Sequence, residues 1–154
     1  MSILLSIVAV VLVTLYTVAI MDGGILMIAS FIDIPSLLII VLWTVPVLVG
    51  AGMIRDFFAS FKRMFSKTVC TREDLSRSME SVQLAQKANW TGGGLGFVMA
   101  FVYICQRYAD IGAELFMCNL AVAVIILVYA ALLNLLLLMV YGRLKKRYMD
   151  YMYE

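Results

Sequence analysis

The side chains able to do chemistry here are few, and their spacing limits what that chemistry is. Asn119, Ala123, Ala130 and Asn134 fall within about 60° of one another on a helix turning about 100° per residue, in a run without charge. An amide donates and accepts hydrogen bonds but does not titrate, so this face can join helices or line a watered path, and both alternatives stand. Ile126 lies in the middle of the face and Leu127 at its edge, so a channel here is apolar at mid-depth. Gly92, Gly96 and Ala100 recur every four residues, a small-xxx-small surface that lets helix backbones approach closely, within one subunit, between subunits or against a partner. Asp33 is the carboxylate that stands directly before the second apolar run, followed by Pro35 and Ser36. It is either an ion-handling group or a helix start. Proline is tolerated in a first turn and a carboxylate is favoured at a helix N-terminus, which makes a helix start the preferred reading. Histidine is absent, and Cys70, Cys105 and Cys118 show no CxxC spacing, so no metal site or cofactor is expected. No nucleophile and base converge, and an enzyme is not expected.

The elements that must position these groups follow from composition. Hydrophobic residues make up 64%, charged residues 14%, and mean hydropathy is +1.01, whereas a soluble domain carries about a quarter charged residues. The chain reads as an all-α integral membrane protein. Uncharged runs that meet the length needed to cross about 30 Å of hydrocarbon cover residues 3–21, 34–54, 90–106 and 115–141. These give a single four-helix, four-pass membrane domain over 1–154, with a short helical cytoplasmic segment at 55–89. The first run has no basic flank or small-residue cleavage site and is expected to be retained.

All of the 12 basic residues except Arg107 fall in that segment or after residue 141. That side is the cytoplasm by the positive-inside rule, with both termini on it. The net charge of +2 leaves no nucleic-acid footprint. Pro46 lies inside the second run and should kink it. Ile54, Phe57, Phe58, Phe61 and Phe65 form an apolar stripe that suits a helix leaving through the interface. Thr71 and Asp74 have the spacing of a capping box. The fourth run exceeds the hydrocarbon thickness, so it tilts or projects, with the tail extending it. Because no Asp, Glu, Lys or Arg lies inside any run, the chain cannot relay protons alone.

Gly23 and Gly24, "FIDIPSLLIIVLWT" at 31–44, "RDFFASFKRMFSK" at 55–67, "GFVMAFVYICQRYADIG" at 96–112 and "AVAVIILVYAALLN" at 121–134 resemble the MotA/TolQ/ExbB family, in particular MotA-type flagellar stator subunits. The resemblance implies a homo-oligomer, a pentameric ring in the bacterial inner membrane, with the third and fourth helices facing the axis. The ring encloses a single-pass partner of the MotB, TolR or ExbD kind, whose membrane aspartate takes up the ion. It implies the ring subunit of an ion-driven motor or channel complex, with the proton as the expected ion. Several positions depart from the pattern. Residues 55–89 are too short for the large rotor-contacting insertion of MotA proteins, and Leu42 and Trp43 stand where the family has a glycine pair. The spacing from Tyr129 to Asn134 is one residue short. Phe97 and Leu127, or Ile126, stand at the family's ion-path threonines. The alternative is therefore a non-conducting oligomeric membrane scaffold that keeps the ring architecture.

Overall fold

A computed structural model describes residues 2–20, 33–65 and 71–153. All described elements are α-helices: α1 Ser2–Ile20, α2 Ile34–Gly50, α3 Ile54–Phe65, α4 Arg72–Gln106 and α5 Tyr108–Tyr153. They form two compact units, Met1–Pro35 and Ser36–Glu154, where the sequence suggests one. Gly23, Gly24, Phe31, Lys67 and Cys70 lie outside the described residues.

The first unit holds α1, a 19-residue apolar helix. Its two threonines return their hydroxyls to the helix backbone: Thr14 donates to the Val10 carbonyl and Thr17 to the Val13 carbonyl, both at 2.8 Å. Both threonine hydroxyls in the apolar run are thereby satisfied locally.

In the second unit, α4 and α5 are long and apolar enough to cross a bilayer, through Arg72–Gln106 and Gly112–Met152, and α2 with α3 counts as a third, broken span. This is an all-helical chain of membrane-suited composition with two to three candidate spans. Asp33 directly precedes α2 and Pro35 lies in its first turn. The helix runs through Pro46 to Gly50. The large bend falls beyond it, at 51–53, where α3 leaves α2 at 105°. Gly52 has φ +68°, its N–H bonds the Val49 carbonyl at 2.9 Å, and the Met53 N–H bonds the Leu48 carbonyl at 2.9 Å. That pair of bonds is a Schellman stop, which needs a left-handed residue and so favours glycine. Proline removes one hydrogen bond, whereas the left-handed glycine ends the ladder.

Trp90, expected to open the third run, begins nothing. α4 is one continuous helix of 35 residues that starts at Arg72. Thr71 caps it, accepting from the Asp74 N–H at 3.3 Å and donating its hydroxyl to Asp74 Oδ2 at 2.6 Å. The cap has the spacing read from the sequence. α5 reaches Tyr153 and is broken near its start at Gly112, φ +73°. At 1.5 Å per residue, the 41 residues from Gly112 to Met152 extend about 60 Å, roughly twice the hydrocarbon thickness.

The short α4–α5 connection makes the two helices antiparallel neighbours, and their contacts keep one register. Gly96 meets Ile126, Gly93 meets Ala130 and Arg72 meets Tyr148, so each step back along α4 is a step forward along α5. From Gly96 to Arg72 the pair stays together over about 36 Å. Ser78, Ser81, Val82, Ala85, Ala88, Asn89, Gly92, Gly93 and Gly96 are the buried residues of this stretch of α4 beyond Leu75, and most are small.

Candidate functional site

Where α4 passes from its charged half to its apolar half, three of its polar side chains meet Asn134 and the backbone of α5. The Asn89 amide, 2% exposed, donates to the Ala130 carbonyl at 2.9 Å. Gln86 Nε2 donates to the Asn134 carbonyl at 3.5 Å. With the Asn134 amide oriented by its neighbours, its nitrogen donates to the Gln86 carbonyl at 3.2 Å. Its oxygen then accepts from Trp90 Nε1 at 2.7 Å and Asn89 Nδ2 at 3.3 Å. Each helix thus offers an amide to the other's backbone. Interhelical amides of this kind fix register, because a one-residue slip strands polar atoms in an apolar surround. Asn89 Oδ1 has no hydrogen-bond partner among the described residues. Beside the cluster lies an open groove of about 580 Å³, lined by Gln83, Gln86, Lys87, Trp90, Thr91 and Asn134. Nothing in the amide cluster itself titrates near neutral pH, so it can hold helices and hydrogen-bond a neighbour but cannot take up an ion by protonation.

The small-residue face is used inside the chain. A Cβ on Gly92 would stand 2.7 Å from Trp43 Cβ, one on Gly93 2.6 Å from Ala130 Cβ, and one on Gly96 3.2 Å from Ile39 Cγ2 and 3.4 Å from Ile126 Cγ2. The glycines let α2 and α5 approach α4 more closely than any side chain would permit. Ile40, Ile126 and Ala130 form the buried core here, with Ile39, Ala100, Tyr129 and Leu133 packed against it.

The site residues read from the sequence therefore separate. Gly92, Gly96, Ala123, Ile126 and Ala130 are buried within this unit, and Asn134, also buried, edges the open groove. Ala100 and Leu127 are half-buried, and so is Phe97, which stacks on Phe101 at 6.0 Å. Only Asn119 of the two asparagines is exposed. Ser36 is buried. Cys105 and Cys118 are exposed thiols.

Asn89, Gln86 and Trp90 were missed as site residues. A scan for uncharged runs stops at Lys87 and so cuts α4 at this point. The signal that finds Asn89 is the spacing of Ser78, Val82, Ala85, Asn89, Gly92 and Gly96 at alternating threes and fours, a stripe that crosses the charge boundary without interruption, whereas Gln86 and Trp90 lie beside the stripe and carry no such signal.

The charged end is built differently. Arg63 of α3 donates through Nη2 to Asp74 Oδ1 at 2.9 Å, and through Nη1 to the Asp74 carbonyl at 3.0 Å and Ser78 Oγ at 2.5 Å. Asp56 stands 3.8 Å from it. From α5, Arg147 donates to the Arg63 carbonyl at 2.6 Å and Tyr148 accepts from Arg72 Nε at 3.2 Å. The Asp74 carboxyl is held below its ordinary value first by the Thr71 hydroxyl and, against a desolvation that raises it, by the Arg63 charge.

Compared with known protein families, characterised proteins and solved structures, the chain matches none.

Proposed function

We propose that this chain is a four-pass ring subunit of an ion-driven membrane complex, and that the ion-binding carboxylate is supplied by a partner helix at the ring axis. One observation carries the reading. The two longest helices form a wall that extends well past a bilayer, and the apolar runs carry no Asp, Glu, Lys, Arg or His, so an ion path needs a charged group from elsewhere. α1, at 19 residues, has the length of a fourth span. The family-like segments supply the ring, the pentamer, the single-pass partner with a membrane aspartate and the bacterial inner membrane with both termini inside. Because Gly92, Gly96 and Ala130 are occupied within the chain, the axis-facing surface in this reading is the exposed side of α4 and α5, which includes Asn119.

A non-conducting ring scaffold is the second reading. Phe97 and Leu127 at the ion-path positions favour it, since neither can hydrogen-bond an ion's water shell. Proton and sodium uptake into vesicles, measured with the chain alone and with a co-expressed single-pass protein bearing a membrane aspartate, separates the two. Flux that depends on the partner's aspartate supports the motor reading, and an assembled ring with no flux supports the scaffold. A particle holding one copy overturns both.

A further inference from the structure

The elbow between α2 and α3 borders a second feature, which shares only Asn89 with the amide cluster. A cavity of about 410 Å³ lies between α2, α3 and α5, lined from α2 by Ile40 and Leu48, from α3 by Phe57 and Phe61 and from α5 by Leu133 and Leu137 among others. Its wall is almost wholly apolar. The Thr44 hydroxyl is turned away to the Ile40 carbonyl at 2.8 Å, and Asn89 closes the far side. Ile40 lies ten residues before the end of α2, so the cavity reaches about 15 Å along that helix from the elbow.

α3 divides into three sectors. On a wheel of about 100° per residue, Ile54, Phe57, Phe58 and Phe61 line the cavity, while Ser60, Arg63 and Met64 turn toward the helical core. Arg55 and Lys62 share a third sector two turns apart, within about 60° of Phe58, and both are exposed. A helix with four charged residues in twelve cannot lie in hydrocarbon, and its 105° departure from α2 turns it toward the bilayer plane. The two cations then stand at headgroup depth, at the edge of an apolar slot that runs inward.

We propose that this elbow is a binding site for one anionic phospholipid, with its phosphate between Arg55 and Lys62 and an acyl chain in the cavity. Charge decides the headgroup, since no carboxylate lies on the Arg55–Lys62 sector of α3. Shape decides the chain: a slot about 15 Å deep exceeds the reach of one side chain from another helix, while its volume lies in the range of small-ligand pockets. The proposal rests on α2 lying in a bilayer and is independent of the ring, so a monomer that holds the lipid upholds it while overturning the ring.

The test uses the full chain reconstituted in vesicles of equal phosphatidylglycerol and phosphatidylcholine with matched acyl chains, then extracted and weighed by native mass spectrometry. The wild-type chain should retain phosphatidylglycerol in preference. Arg55→Gln with Lys62→Gln should reduce that preference about 30-fold, since each juxtamembrane basic residue is worth roughly a factor of five. Val45→Trp, which fills the slot, should reduce retention of both lipids at unchanged helical content, and Val41→Phe serves where the tryptophan variant misfolds. Equal retention of the two lipids by the wild-type chain, or a preference that survives the double variant, overturns the headgroup assignment. Retention unaffected by filling overturns the slot, and a change in copies per particle on filling makes the elbow an interface between copies instead.

Discussion

Two stretches of α4 do the same task by opposite means. Around Gly92–Gly96 the helix meets its neighbours through missing side chains, and around Asp74–Ser81 it meets them through hydrogen bonds to an arginine. Lipid tails are as apolar as leucine, so burying leucine there gains little. Close backbone contact and a few amides must supply the attraction. At the charged end Arg63 stays about one-fifth exposed, its guanidinium ties α3 to α4 while keeping part of its hydration, and its backbone carbonyl takes the bond from Arg147 of α5. The contrast shows that one continuous small-residue stripe serves two solvents, with the filling between helices exchanged where the solvent changes.

The strongest way to break the apolar half is Gly93→Leu, which should abolish the folded particle, because the new side chain would begin 2.6 Å from Ala130 Cβ and no flexible group can give way. Gly93→Ala should cost roughly 1–3 kcal/mol as overpacking. Gly94→Ala is the control: nothing lies within 4 Å of its Cβ, and it should stabilise by up to about 1 kcal/mol through helix propensity. Thermal unfolding in detergent checks all three, and equal effects at 93 and 94 would mean that the α4–α5 contact is misassigned. At the charged end, Arg63→Ala should cost about 2 kcal/mol, since it takes the guanidinium donor from buried Ser78 and from Asp74 Oδ1. Part of that cost should fade at high salt, whereas the glycine effects should not.

Asn134→Leu sharpens the comparison at the boundary. Interhelical hydrogen bonds in membranes average about 0.6 kcal/mol, so the loss should be near 1 kcal/mol. Tryptophan emission should change as the Trp90 indole loses its 2.7 Å acceptor, and an unchanged spectrum would count against the cluster. The smallest effect is the pH dependence of Asp74. Its folded value is lowered from 3.8, so its contribution is present above about pH 4 and is lost as pH falls through the lower folded value. Asp74→Asn should flatten that acid limb slightly, and a limb that persists unchanged assigns it to another carboxylate.

Local signals were legible in the sequence wherever neighbours in the chain decide the outcome. The α2 start at Ile34, after Asp33, and the Thr71–Asp74 cap depend on contacts a few residues apart and lie where the pattern puts them. Pro46 is the stronger sequence signal for a bend, yet the large bend occurs at Gly52, because proline removes one helical bond whereas the left-handed glycine ends the ladder, and a glycine's φ is not written in its spacing. The start of the third run was misplaced for a related reason: Lys87 is exposed and costs the helix nothing, so charge does not interrupt α4. For the site, the face carrying Gly92, Gly96 and Ala130 was recognised, but which neighbour fills it was not, since one small-residue face suits an internal helix and a second subunit equally.

By itself, the sequence determined that the chain is helical, apolar enough for a bilayer and without acidic or basic side chains in its apolar runs, because composition and run length set those properties residue by residue. Only the tertiary structure decided that the glycines are spent on Trp43, Ala130 and Ile39, that Asn134 pairs with Gln86, Asn89 and Trp90, and that the two long helices hold one register. Those outcomes turn on which surfaces meet across tens of residues, and periodicity fixes the face of a helix without fixing its partner.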